Sequence, residues 1–157
     1  MLAELERDLV AWLGESALAG QLRQIASLPD LDGESLAGRF ATDAPALYVC
    51  TGGGEAIGRG LATVTLGVAC VARNSRGHQA ARQGDGVVVG LVELIEAVVI
   101  LLDGAQVGEQ AYQVVGWQQV SDPALARKAV FAALVTLHTV VDLPTCYAAS
   151  GLEALLC

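Results

Sequence analysis

Glu93 and Glu96 are the carboxylates whose spacing comes nearest to that of a catalytic or metal-binding pair. They lie three residues apart, which places both side chains on one face of a helix. Such a pair could transfer protons or hold a divalent metal ion. No histidine accompanies them between Val87 and Leu102. We therefore interpret the pair as the hydrated strip of an otherwise apolar helix, and we expect neither catalysis nor a metal ion there.

A glycine-rich segment, Thr51–Gly58, follows an expected strand and invites comparison with a dinucleotide-binding turn. Its glycine spacing differs by one residue from that fingerprint. Too few residues separate Gly54 from the next strand for the crossover helix that such a turn requires. We interpret the segment as a flexible connection and predict no nucleotide cofactor.

The histidines and cysteines also lack the spacing of a reactive set. We expect His78 in an exposed loop and His138 hydrogen-bonded within a strand, and neither forms a two-histidine metal motif. No CxxC pair occurs, and we expect reduced thiols at all four cysteines: Cys50, Cys70, Cys146 and Cys157. With no nucleophile, base and orienting group together, the sequence predicts a protein that is not an enzyme and needs no cofactor.

Three arginines, Arg73, Arg76 and Arg82, form the one cationic cluster along the sequence. They could meet an acidic partner, or they could belong to a solvated loop. The whole chain has nine Lys and Arg against 17 Asp and Glu, a formal net charge of -8. Because nucleic-acid binding depends on clustered cations, this balance argues against a surface that grips DNA.

Composition predicts one domain with a large apolar surface. The chain has 157 residues, of which 54% are hydrophobic and 17% charged, and its mean hydropathy is +0.51. We expect it to bury more surface than a monomer of this size usually can. The acidic residues near Met1 do not resemble a secretion signal, and Val87–Leu102 is too short and too charged to cross a membrane. We expect a protein without a membrane partner.

The first part of the chain predicts a helix and two strands. Leucines at 2, 5, 9 and 13 share one helical stripe, and this helix should end between Gly14 and Gly20. A short extended segment is expected around Leu22–Leu28, a mobile loop over Glu34–Asp43, and a strand over Ala46–Thr51.

The strongest strand pattern runs from Leu61 to Arg73. With a period of two, the core face should carry Val64, Leu66, Val68 and Cys70. The opposite face should carry Thr63, Thr65, Gly67 and Ala69. Because those residues are small, a second surface could approach the second face closely.

An exposed loop over Ser75–Gly86, a helix over Val87–Leu102 with Val99 buried, and a hairpin of strands Ala111–Val120 and Ala129–Val141 complete the pattern. This order predicts an α+β fold: a mainly antiparallel sheet with two helices packed on one face. We expect a single domain over residues 1–144 and a C-terminal tail, residues 145–157, for which a short helix and disorder both remain open.

Several of these features together resemble the Mu-like phage and prophage minor tail proteins, which are regarded as relatives of tail terminators. They are the amphipathic start, the Arg73–Gly77 turn after a long strand, the apolar helix around Leu94–Val98 and the final hairpin. The resemblance covers Met1 to Leu143. It implies a tail-terminator-like α+β subunit that assembles with copies of itself into a ring, hexameric in the terminator families.

Such a ring caps the tail tube and offers its other side to the head–tail connector. The resemblance thus implies tail tube or sheath proteins and a connector as partners, with DNA only as passing cargo. It places the protein in the virion tail, after assembly in the host cytoplasm, and implies no catalytic residue.

Ring subunits need two different adhesive surfaces, and the apolar helix and the small-residue strand face are candidates. The interface residues that we expect are Arg73, Arg76, Arg82, Glu93, Glu96 and Val99. The alternatives are a small-ligand-binding module and an uncharacterised bacterial enzyme. Oligomeric state separates them, because a ligand module predicts a monomer or dimer.

Overall fold

The computed structural model describes residues 1–73, 77–86 and 89–143. The described helices are α1 (Leu2–Gly14), α2 (Gly33–Asp43), α3 (His78–Gln83), α4 (Leu91–Leu102) and α5 (Pro123–Arg127), with a 3-10 turn at Ala17–Gln21. The strands are β1 (Gln24–Ser27), β2 (Ala46–Gly58), β3 (Leu61–Ala72), β4 (Gln106–Val107), β5 (Gln110–Ala111), β6 (Gln113–Val120) and β7 (Phe131–Asp142).

Five of these strands form one sheet in the order β1-β2-β3-β7-β6. The β1–β2 pair is parallel, and each of the other pairs is antiparallel. β3 lies at the centre, where Val68 pairs with Val49 on one side and with Val135 on the other. The short strands β4 and β5 form a separate hairpin. The expected α+β class with a mainly antiparallel sheet is confirmed.

The main core lies between α1, α4 and one face of the sheet, which we call the first face. Leu9 and Leu13 of α1 and Leu94 and Val98 of α4 are fully buried there. β3 contributes the residues expected from its alternation, Val64, Leu66, Val68 and Cys70. Because these side chains recur at the helical or strand period, the packing of both elements follows from the sequence pattern.

The second face of the sheet is partly covered by helices that the sequence reading missed. α2 occupies Gly33–Asp43, where a mobile loop was expected, and α5 occupies Pro123–Arg127, between the two strands of the expected hairpin. The expectation of just two helices on one face was therefore wrong in number. In α2, Asp32 accepts the Ser35 N–H at 2.8 Å, which caps the helix, and Phe40 stacks on Tyr48 with ring centroids 5.0 Å apart.

The segment before α4 also differs from expectation. The helix begins at Leu91 rather than Val87, with Gly90 as its N-cap, while residues 87–88 lie outside the described part of the chain. Glu93 accepts the Gly90 N–H at 3.2 Å and so fixes this start. The expected loop over Ser75–Gly86 contains α3, whose short helix ends at Gln83.

The remaining differences concern the strand ends. β2 continues through the glycine run to Gly58, since Gly54, Glu55 and Ala56 still pair with β3. The segment expected to be a flexible connection is thus an exposed strand. The expected strand from Ala111 is split between β5 and β6. The antiparallel pairing of β6 with β7 is the one expected for the final hairpin. Pro144 and the expected tail, residues 145–157, lie outside the described residues.

Candidate interaction surface

A surface groove lies between α4 and the neighbouring strand β6; we call it the α4–β6 groove. Its volume is about 520 Å3, and its lining is Val92, Ile95, Glu96, Val99, Ile100, Trp117 and Gln119. Ile100 is 81% exposed and Trp117 is 60% exposed. Single exposed apolar residues are common on proteins, but a contiguous apolar cluster marks an interaction site.

The groove follows from how α4 packs on the sheet. Leu94, Val98 and Leu102 turn toward the first face and are fully buried. The side of α4 next to β6 instead carries Glu96 and Ile100, four residues apart and both exposed. Because β6 is the last strand of the sheet, no further strand covers this side of α4 in the described part of the chain.

β6 presents a second feature to the same side, an open strand edge. Over the described residues its strand pairing is with β7 alone. The Val114 N–H is bound by Asp103 Oδ1 at 3.2 Å, and the register shifts between Val114 and Gly116. An edge strand of eight residues flanked by exposed apolar side chains is a template for pairing with another strand.

The second face of the sheet offers a different surface. Thr63, Thr65 and Ala69 of β3 are half-buried, as the sequence alternation predicts for a small-residue face. Beside them in β7 are His138, half-buried in a strand as expected, and Val140, which is 52% exposed. This open part of the second face and the α4–β6 groove differ in shape and chemistry.

The structure distributes the expected interface residues over several places. Glu96 and Val99 line the α4–β6 groove together. Val99 is half-buried there, so the expectation that it is buried was wrong. The adjacent Val98 is the fully buried residue, because it faces the sheet. Glu93 caps α4 and does not line the groove.

The arginines belong to other elements. Arg73 follows β3, is exposed, and its Nη1 donates to the Ala41 carbonyl oxygen of α2 at 3.2 Å. Arg82 is exposed in the last turn of α3. Arg76 lies outside the described residues. Neither Arg73 nor Arg82 lines the α4–β6 groove.

The described thiols are not activated nucleophiles. Burial raises the pKa of the Cys70 thiol to about 12, and burial together with the nearby Glu6 carboxylate raises the pKa of Cys50. A raised thiol pKa keeps the neutral, unreactive form at neutral pH. The glycine run is strand rather than a turn that opens a helix, so it does not have the geometry of a phosphate-binding loop.

Metal ligands and membrane-spanning helices are the two remaining features to place among the described residues. Residues 1–73, 77–86 and 89–143 contain no group of three or more His, Cys, Asp or Glu side chains placed to hold a metal ion. Among the same residues, no helix has both the length and the apolar composition needed to span a bilayer.

The sequence reading missed the two exposed apolar members of the groove, Ile100 and Trp117. A signal for Ile100 was present, because it shares the face of α4 that carries Glu93 and Glu96, the strip expected to face water. Trp117 had no comparable signal. Its exposure depends on β6 being an edge strand, which is a property of the sheet order.

An exposed apolar groove beside a strand edge that is open over the described residues is typical of subunits that contact other proteins. In comparison with known families, residues 1–124 match the family model described as Bacteriophage Mu, Gp37. The chain belongs to this family and is a phage structural protein, associated with the virion. The resemblance to Mu-like phage proteins is thereby confirmed. A search of curated proteins gives no match.

Proposed function

We propose that this protein is a tail terminator that assembles as a ring, most simply a hexamer, on the end of the tail tube. The observation that carries the proposal is the α4–β6 groove with its exposed Ile100 and Trp117, found in a member of a phage structural family. A protein partner that covered this groove would remove its exposed apolar side chains from water.

Ring closure is supported by the presence of two unlike surfaces on one subunit. Head-to-tail rings need heterologous contacts, in which one surface of a subunit binds a different surface of the next. The α4–β6 groove is one such surface. The exposed Gly52–Gly58 end of β2, on the opposite side of the sheet, is an unlike surface that can meet the next subunit. The open part of the second sheet face, with Thr65 and Val140, is then available for tail tube or sheath proteins.

The charge of the chain suits a ring through which the genome passes. Its formal net charge of -8 repels phosphates, so DNA would move through the lumen as cargo without binding. The expected arginine cluster would then dock on the connector rather than on DNA. Of its two described members, Arg82 is exposed in α3, whereas Arg73 is exposed but bonded to the Ala41 carbonyl oxygen of α2.

The experiment is deletion of the gene in the phage or prophage, followed by electron microscopy of the particles. We expect tails of uncontrolled length that do not join heads, and restoration of both features by the wild-type gene supplied in trans. Tails of normal length joined to heads in the deletion would overturn the proposal.

A small-ligand-binding module is the alternative, and the groove volume of about 520 Å3 favours it, since ligand pockets fall in the range of about 300–1,000 Å3. That function predicts a monomer or dimer at all concentrations and normal tails after deletion. The same microscopy, with gel filtration of the purified protein, distinguishes the two.

A further inference from the structure

We infer that β6 of one subunit pairs with the Gly52–Gly58 segment of β2 in a second copy, so that the sheet continues from subunit to subunit. The inference rests on the proposed ring and names the two surfaces that build it. Its partner is a second copy of this chain.

The first argument is that the sheet has two free edge segments on opposite sides. β1 covers β2 just as far as the Ser27–Val49 pair, with one further bond from the Leu28 N–H to the Val49 carbonyl oxygen. Beyond it, Gly52–Gly58 is exposed throughout and pairs, within the described chain, with β3 alone. Among the described strands, β6 is the free edge at the other side.

The second argument is strand direction. β2 is antiparallel to β3, β3 to β7, and β7 to β6, so β6 runs opposite to β2. Within one copy β6 is level with the half of β2 that β1 covers. When two copies in the same orientation are displaced along the strands by about six residues, or about 20 Å, β6 of one therefore meets the Gly52–Gly58 segment of the next as an antiparallel pair. The segments also match in length, because β6 has eight residues and Gly52–Gly58 has seven.

The third argument is the glycine run itself. A Cβ at Gly52 or Gly54 would come within 3.1 Å of a carbonyl oxygen of β3, so packing inside the subunit explains both glycines. A Cβ at Gly53 would meet nothing within 4 Å. A bare strand at this position gives the exposed Trp117 ring of the next copy a surface on which to lie.

The fourth argument is charge. In an antiparallel pair the end of the β2 segment, where Arg59 follows, comes next to the beginning of β6, where Asp103 binds the Val114 N–H. In the register that sets Gly53 opposite Gln118, Glu55 comes opposite Gly116 and meets no charged side chain. A cation thus meets a carboxylate, and no acid is set against another acid.

The fifth argument is size. A standard interface buries about 800 Å2 per partner and uses about 20–30 residues on each side. β6 and the α4 residues of the groove supply roughly half that number. One such contact would hold a dimer weakly, whereas a closed ring gives every subunit two contacts. Assembly should therefore depend strongly on concentration.

The test uses cysteine pairs in the full-length protein with Cys50, Cys146 and Cys157 changed to serine. In this background we introduce Gly53→Cys and Gln118→Cys together and oxidise the protein at assembling concentration. We expect a ladder of disulfide-linked species up to the ring size on a non-reducing gel. The matched control pair is Ser35→Cys with Gln118→Cys, since Ser35 is exposed on α2 and belongs to neither edge strand.

A second measurement uses sedimentation velocity. Trp117→Lys should raise the concentration needed for half-assembly at least about tenfold without lowering the melting temperature, because Trp117 is largely exposed. Leu31→Lys, at a loop position that is 43% exposed, should leave assembly unchanged.

The outcomes separate this inference from the proposed function. Linked ladders together with the loss of assembly in Trp117→Lys support it. Two results would overturn the β6–β2 pairing: equal cross-linking of the control pair, or normal assembly of Trp117→Lys. If the wild-type protein still forms rings in those cases, the proposed terminator function stands. A wild-type protein that stays monomeric at every concentration and on tails overturns the inference, and normal tails after gene deletion overturn the proposed function itself.

Discussion

Glu93 illustrates how single residues with catalytic potential are used for structure in this chain. Its carboxylate accepts the Gly90 N–H at 3.2 Å, which caps α4. Likewise, the Glu6 carboxylate accepts the Thr51 hydroxyl at 2.8 Å and ties α1 to β2. Glu93 and Glu96 are both exposed, as expected for the hydrated strip of the helix, but the capping contact could not be foreseen without the position of Gly90.

Cys70 gives the first prediction, a pH dependence of stability. Its thiol pKa rises from 9.0 to about 12 on folding because it is buried. Between those values the unfolded chain loses a proton that the folded protein keeps, so the free energy of unfolding falls as pH rises, by about 1.4 kcal/mol per pH unit. Below pH 9 this contribution is constant.

Urea denaturation between pH 8 and 10 measures this effect. Cys70→Ala should be less stable at pH 8, since a buried sulfur atom is lost, but its stability should decline less steeply above pH 9. Equal slopes for the two proteins would contradict the assignment.

At the scale of elements, strongly periodic segments were predicted and short capped helices were not. The alternation of β3 and the leucine stripe of α1 fix which side is buried. α5 was missed because a helix of five residues has too little periodicity to detect, although Asp122 followed by proline is a helix-start signal. α2 was read as a loop because Asp32–Gly33 also fits a turn.

The contact between α3 and α4 gives the second prediction. A Cβ at Gly90 would lie 2.5 Å from the carbonyl carbon of Gln83 and 2.9 Å from that of Arg82, which are backbone atoms. Gly90→Ala should therefore lower the free energy of unfolding by about 1–3 kcal/mol. Gly38→Ala, at a helix position with open space, should raise it by up to about 1 kcal/mol. Denaturation curves that rank the two variants in the opposite order would refute this packing.

The two sides of α4 give the third prediction. Val98 is fully buried, so Val98→Asp places an unpaired carboxylate in the core and should cost on the order of 3–5 kcal/mol, detectable by urea denaturation. Val99 lines the groove and is half-buried. Val99→Asp should cost about 1 kcal/mol in folding and yet weaken assembly in sedimentation velocity. If the two variants lost equal stability, the orientation of α4 would be wrong.

At the scale of the whole molecule, the groove could not be predicted from the sequence, because its walls are distant along the chain. Ile100 and Trp117 meet across α4 and β6 because the strand order places β6 outside β7. The composition did indicate that apolar surface would remain exposed. A chain with a mean hydropathy of +0.51 has more apolar surface than the core of one small domain can bury. The high apolar content predicts an interface, and the α4–β6 groove is where we propose that it lies.

Docking to the head gives the last prediction, in which Arg82→Glu slows the joining of tails to heads. Arg82 is exposed in the last turn of α3, so its reversal should leave the fold nearly intact, whereas reversal of Arg73 would also disturb its bond to Ala41. Exposed complementary charges act chiefly on the association rate, and salt screens them over about 10 Å at 0.1 M. In a tail-completion assay we expect joining to slow about tenfold at low salt, with the difference shrinking as salt rises.

Arg7→Glu, an exposed reversal of equal charge on α1, is the control. Equal slowing by both variants would show an effect of net charge alone, and unchanged joining by Arg82→Glu at low salt would remove this arginine from the docking surface.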